Sequence, residues 1–284
     1  MCRFVLYLGK PVTISSLFVE PAHSLIRQSV HADEREEPLN GDGFGVAWYA
    51  PEFSPEPALF RSISPAWNNR NLLELSRVTR SGCILAHVRA ATQALEISEP
   101  NCHPFTIGQY AFMHNGDLGG FSSARKAIID RLPSALFERV RGTTDSEHLF
   151  GLIVSKLSAR EQETSDHLAS ALVEGVREAI ALSDRHRPGE HSYLNLVLSN
   201  GRSAVACRFT TDLPDGADSL YLNWGKRYVC EGGVCRMLDA DEASGSVIVA
   251  SEPLSEEPGW HPVPTNHLVL IDGSRQPRVI PWPG

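Results

Sequence analysis

No stretch of the 284-residue chain approaches the roughly 20 consecutive apolar residues that a membrane-spanning helix needs, so no membrane partner is expected. The opening residues hold one short apolar run, Phe4 to Leu8, and lack the longer core and small-residue cleavage site of a secretory signal. Positive charge is in deficit. The 26 Lys and Arg stand against 34 Asp and Glu, a formal net charge of −8, which argues against nucleic acid as a partner. Cysteine is sparse and carries no framework spacing. Cys2, Cys83, Cys102, Cys207, Cys230 and Cys235 have the scatter of reduced thiols in a cytosol, and the expected compartment is cytoplasmic. Cys102 with His103, and Cys230 with Cys235, lack a second ligand pair at zinc spacing. No metal is therefore expected, and the latter two are read as packed or exposed thiols. Internal repeats and low-complexity linkers are also missing, so residues 1–284 are expected to form one domain.

What is present is globular: 42% apolar and 21% charged residues. Short runs rich in β-branched and aromatic residues predict strands at Phe4–Leu8, Phe44–Tyr49, Cys83–Val88, Tyr110–His114, Tyr193–Ser199, Ser203–Phe209, Ser246–Ala250 and His267–Ile271. Asn200-Gly201 between two of them is a hairpin signal. Helical spacing joins Leu149, Leu152, Ile153 and Leu157 after Asp145, and Leu168, Leu172, Val176 and Ile180 after Thr164. A third helix is predicted from about Asn68 to Val78. Pro51–Pro57 and Glu252–Pro264 read as surface loops. Strands, a helical pair, then strands again make an α+β layered fold with mainly antiparallel sheets.

Several segments could carry chemistry. Cys2 follows the initiator Met, and a small residue there permits removal of Met1. The exposed residue would combine a thiol, with a reference pKa of about 8.5, and an α-amine at about 7.7–8.0, so nucleophile and base would share one residue. The alternative is an ordinary strand-start cysteine. Arg89, in His87-Val88-Arg89-Ala90-Ala91-Thr92, follows a buried-looking strand and could present its planar fork to a carboxylate. An Arg in a structural ion pair, with His87 half-buried, fits the same residues. His114-Asn115-Gly116-Asp117 offers a side-chain amide and a glycine N–H, two donors of the kind an oxyanion hole needs, or else a plain Asn-Gly turn. Asp145, in Thr143-Thr144-Asp145-Ser146-Glu147, either caps the helix that follows or accepts a bond from a substrate ammonium; residue type does not separate the two. Asn40-Gly41-Asp42-Gly43-Phe44-Gly45 lacks the lysine of a phosphate loop and reads as tight packing beside a pocket, with Asp42 a secondary candidate. Asn101-Cys102-His103-Pro104-Phe105 reads as a loop stiffened by Pro104.

The order of these segments resembles the class II glutamine amidotransferases: a terminal cysteine, then HVRAAT, NCHPF, HNGD and TTDSE. MCRFVLYLGKP, EPAHSLIRQS, NGDGFGVAWY and the later IVASEPL resemble the stand-alone, single-domain members of the kinds found in fungal glutathione degradation and the ergothioneine pathway. The resemblance implies a four-layer αββα sandwich, the N-terminal-nucleophile hydrolase fold. It implies a Cys2 thioester formed on the γ-amide of glutamine or a γ-glutamyl compound, with no cofactor. By the same resemblance Arg89 holds the substrate α-carboxylate and Asp145 its α-ammonium. Asn115 and the Gly116 N–H stabilise the oxyanion, and Thr92 and His103 line the pocket. Ala90 stands where larger members usually carry an aromatic, and Gly119 and Gly120 stand where an asparagine is usual, which affects ammonia-channel features more than the hydrolytic centre. A glutaminase subunit serving a separate synthetase, a subunit of a peptidase complex, and a non-catalytic scaffold are the alternatives on the same fold. A bile-salt or penicillin amidase would share the nucleophile but not HNGD and TTDSE.

Overall fold

A computed structural model describes residues 2–34, 39–90, 97–157, 164–240 and 245–284. In chain order its strands begin with β1 (Arg3–Thr13), β2 (Phe44–Trp48), β3 (Ala58–Ser62), β4 (Arg80–Val88), β5 (Phe105–Ile107), β6 (Tyr110–Asp117), β7 (Tyr193–Ser199) and β8 (Ala204–Thr210). They continue with β9 (Tyr221–Glu231), β10 (Val234–Ala240), β11 (Ser246–Ala250), β12 (His261–Pro262), β13 (His267–Ile271) and β14 (Arg278–Pro281). The α-helices are α1 (Ser15–Phe18), α2 (Leu25–Val30), α3 (Arg70–Val78), α4 (Phe121–Ile129), α5 (Ser134–Phe137), α6 (Asp145–Val154) and α7 (Ser165–His186).

Two antiparallel sheets result. One runs β10–β9–β11–β1–β4–β2–β3 with β12 added on β9; the other runs β14–β13–β8–β7–β6–β5. Alternation along each strand divides its side chains between two cores. In β1, Phe4, Leu6 and Leu8 enter the core between the sheets, where they meet Met113, Val197 and Val269 of the second sheet. Val5 and Tyr7 point the other way, to a core shared with Leu17 and Phe18 of α1, Leu25 of α2 and Leu72 of α3. The outer face of the second sheet, through Phe112, Leu196 and Val205, is covered by Leu149 and Leu152 of α6 and Leu168, Leu172 and Val176 of α7. Each of these fully buried side chains contributes roughly 1.5–3 kcal/mol. The layers are therefore helix, sheet, sheet, helix: an α+β, αββα sandwich. No helix among the described residues is long and apolar enough to cross a membrane.

Two expectations from the sequence need correction. Cys230 and Cys235 are joined as a disulfide, with Cα atoms 4.0 Å apart. They are directly opposed in the β9–β10 register, and Gly232 and Gly233, both at positive φ, make the turn that opposes them. That Gly-Gly hairpin is the signal the spacing argument missed. His114-Asn115-Gly116-Asp117 is not a turn either; β6 runs through it to Asp117, with Asn115 opposite Asn195 of β7.

One close approach sets the stage for the site. A Cβ on Gly45 in β2 would lie 2.2 Å from the His103 carbonyl oxygen, so the bare α-carbon is what lets the loop after β4 lie against the sheet. Gly45→Ala should lower stability by about 2–4 kcal/mol, seen as a lower urea midpoint at unchanged m-value. An unchanged midpoint would show that the loop does not press on β2.

Candidate active site

Period two decides which polar residues enter the gap between the sheets. Cys2 lies two residues before Phe4, in phase with the inward set of β1. In β4, Cys83 and Leu85 face inward, which brings His87 and then Arg89 to the same side. In β6, Ala111 and Met113 face inward and Phe112 faces the helices, so Asn115 enters the gap. Register then aligns the ends: Val88 is opposite Arg3 on one side and Phe44 on the other. The half-buried Cys2 thiol donates to the Ala90 carbonyl at 3.6 Å, immediately beyond Arg89. Burial pushes this thiol up from its ordinary value, against the pull of the Arg89 and Arg3 charges. At neutral pH it is therefore mostly protonated.

Arg89 is 3% exposed. Its backbone is fixed from the start of β2: its N–H donates to the Gly43 carbonyl at 2.8 Å, and its carbonyl accepts the Asp42 N–H at 3.0 Å. Its Nη1 and Nη2 are buried with no hydrogen-bond partner. The structural ion pair offered as one reading of this residue is not formed among the described residues. A buried, unpaired cation is strongly destabilising, and such a fork could receive an anion.

The Arg89 charge acts on two buried, neutral imidazoles. His87 is fully buried rather than half-buried, and it stacks on His103 with ring centroids 4.3 Å apart. The His87 Nε2–H donates to the His114 carbonyl at 3.1 Å and leaves Nδ1 without a partner; neither ring nitrogen of His103 has one. Burial lowers His87 to about 3 and His103 well below its ordinary value, with the Arg89 charge acting in the same direction on both. His103 precedes a cis peptide bond to Pro104, and its loop is tied to the α6 entry by Asn101, whose Oδ1 accepts the Thr143 N–H at 2.8 Å.

On the second sheet, Asn115 is 1% exposed and its amide oxygen has no partner. Gly116 has φ 131°, and a Cβ there would lie 1.8 Å from the Tyr193 carbonyl oxygen, so no other residue fits. Asp145 is the first residue of α6, but Thr144 is its cap, accepting the Glu147 N–H at 3.2 Å. Asp145 instead reaches back to the residue just after β6: one carboxylate oxygen accepts the Leu118 N–H at 2.8 Å, while the other accepts the Ser146 N–H of its own helix at 2.7 Å. The Ser146 hydroxyl lies 3.1 Å from Asp145 and 2.9 Å from His114 Nδ1, joining helix and strand.

The structure thus brings Cys2, Arg89, His103, Asn115, Gly116 and Asp145 to one end of the sandwich, linked by these contacts. Thr92 lies outside the described residues. Asp42 contributes its backbone to Arg89. The Cys102 thiol points to the Ser98 and Ser62 carbonyls at 3.6 and 3.8 Å, in a packing role. Three supports were not visible in the sequence. His87 was read only as a filler, and Ser146 only as part of the helix start. The third is a buried ion pair behind Cys2: Arg3 Nε donates to Glu252 at 2.6 Å, both side chains being 3% exposed, and Arg3 Nη1 donates to the Cys2 carbonyl at 2.9 Å. Glu252 had been placed in a surface loop; no local pattern marks a partner 249 positions away.

Comparison with known proteins gives this arrangement its family. Residues 24–214 match the model of the class-II glutamine amidotransferases, and the chain belongs to that family. It is 36% identical over 292 residues to a probable glutamine amidotransferase, DUG3, of Saccharomyces cerevisiae, covering 95% of this chain and 82% of that protein. It is 28% identical to the gamma-glutamyl-hercynylcysteine sulfoxide hydrolase of Mycolicibacterium smegmatis, covering 95% of this chain and 96% of that one. A glutamine aminotransferase class-II domain protein from Silicibacter pomeroyi has the same fold over the full length of both chains, with a TM-score of 0.69 at 25% identity.

The buried neutral histidines carry a pH consequence. Both remain uncharged in the folded state while the unfolded chain protonates below about pH 6.5. Their stabilising contribution is complete above that pH and is lost as pH falls toward 3, the value of His87. Each should add about 1.4 kcal/mol per pH unit to the slope of stability in this window. His87→Gln should remove one such increment between pH 6 and 4 in urea titrations. An unchanged slope would mean that His87 is already protonated in the fold.

Proposed function

We propose that the chain hydrolyses the γ-amide bond of glutamine or of a γ-glutamyl compound, with Cys2 as nucleophile after removal of Met1. The carrying observation is the Arg89 fork, buried beside Cys2 with two nitrogens unpaired. A γ-glutamyl head has one α-carboxylate, one α-ammonium and one amide carbonyl, and the site offers a matching group for each. Arg89 holds the carboxylate. Asp145 accepts the ammonium with the lone pairs left after its bonds to Leu118 and Ser146. The Asn115 amide and Gly116 N–H receive the oxyanion, while His103 lines the pocket; Thr92, the other expected pocket residue, lies outside the described residues. The α-amine of Cys2 takes the thiol proton, sulfur bonds to the γ-carbon, and the C–N bond breaks as that proton passes to the leaving nitrogen. Water then adds to the thioester, the C–S bond breaks, and a glutamyl carboxylate and the thiol are released.

Support for an active enzyme rather than a scaffold is the same unpaired charge, which a purely structural domain has no use for. Residues 1–284 are taken as a single amidotransferase domain. The family match ends at 214, yet β9, β11 and β13, which lie beyond it, complete both sheets. Delivery of ammonia to a separate synthetase would use the same groups and differ only in the acceptor.

Two variants separate the roles. Asn115→Ala should lower kcat about 10²–10³-fold with KM nearly unchanged, because the oxyanion exists only in the transition state. Arg89→Ala should act mainly on KM. Equal kcat in the Asn115 variant and wild type would remove Asn115 from the oxyanion site.

A further inference from the structure

Within the proposed reaction, the reach from the α-carboxylate to the γ-carbonyl is bounded by the length of the substrate, so the corresponding groups of the protein must be held at a separation within that reach. Those groups stand on different sheets. Arg89 follows β4, with its backbone locked to Gly43 and Asp42 in the first sheet. Asn115 and Gly116 belong to β6, locked by pairing to Asn195 and Leu194 in the second. Packed apolar side chains between sheets set their spacing only loosely, since such contacts are non-directional. A directional contact does join the two strands here. His87, two residues before Arg89, donates its Nε2–H at 3.1 Å to the carbonyl of His114, and that carbonyl belongs to the peptide group whose N–H is Asn115's own.

We propose that His87 is a positioning residue that sets the gap between the Arg89 fork and the Asn115–Gly116 donors, and so the length of the amino-acid head that the site accepts. The side chain suits a spacer. It is fully buried and stacked on the His103 ring, so its rotamer is held by packing. The His103 backbone is in turn pressed against Gly45 of β2, which gives the stack a rigid floor. A γ-glutamyl head and a β-aspartyl head differ by one methylene between carboxylate and amide. With the carboxylate on Arg89, the shorter head leaves its carbonyl short of the oxyanion donors. One methylene is commonly worth 10–200-fold in discrimination, and here it is read as a distance.

The inference rests on the hydrolase reading, and the test distinguishes their failures. Full-length wild type, His87→Leu and His87→Gln would be assayed for kcat and KM on glutamine and on asparagine, with folding checked by circular dichroism. Leu removes the donor at similar volume; Gln retains an Nε2–H able to reach the same carbonyl. The ratio of kcat/KM for glutamine over asparagine should fall at least tenfold in His87→Leu and recover in His87→Gln. A folded Leu variant in which both substrates fall in proportion, or neither falls, would overturn the positioning role while leaving the hydrolase reading intact. If His87→Leu does not fold, an unrestored ratio in a folded His87→Gln would overturn it as well. Absence of turnover of both amides and of a γ-glutamyl anilide by wild type with Met1 removed would overturn the hydrolase reading and this inference together.

Discussion

A guanidinium held at 3% exposure with two of its nitrogens unpaired is unfavourable to fold, and much of the surrounding structure can be understood as what holds it there. The Arg89 backbone is gripped by the chain entering β2, and its charge acts on two imidazoles that burial keeps neutral. Had a carboxylate taken the place of either ring, the charge would be neutralised internally. Had either ring been protonated, like charges would crowd one buried volume. Neutral neighbours are the arrangement that leaves the charge available without adding to its repulsion.

The end of the molecule proposed as catalytic is built mainly from strand ends, with the His103 loop and the start of α6 beside them. β1 places Cys2 beside Arg89 because Arg3 is opposite Val88, and β6 carries Asn115 and Gly116 as paired strand residues. Behind them lie fixed polar contacts: Arg3 with Glu252 behind the Cys2 peptide, Asn101 with Thr143 between the two loops, and Asp145 with Leu118 between α6 and the residue just after β6. Groups held this way need little reorganisation, which is what the proposed oxyanion site requires.

How much of this was legible in the sequence follows from how far each interaction reaches. The strands β1, β2, β4, β6, β7, β8, β11 and β13 and the helices α3, α6 and α7 are visible as local periodicity, and period two alone brings Cys2, Arg89 and Asn115 to the same side of their strands. The β9–β10 hairpin escaped because its strands mix polar and apolar residues at a sheet edge, where β10 has only one neighbour. Its turn glycines and opposed cysteines were the overlooked clue. α4 was missed because its buried set is only Ala124 and Ile128. The role of Glu252, the His87 bond to His114 and the Ser146 bridge depend on contacts between segments far apart in the chain, and no local pattern encodes them. Recognition of motif order supplied the four-layer architecture and the division of roles; residue patterns by themselves stop at α+β.

The central claim is that Cys2 is the reacting atom's owner. Intact mass of the purified protein before and after treatment with a glutamine-analogue electrophile tests it directly, with Cys2→Ala treated in parallel. The account predicts a chain lacking Met1 that gains one adduct, and no adduct in the variant. A chain that retains Met1 and takes up no adduct, or an adduct that persists in Cys2→Ala, would contradict it.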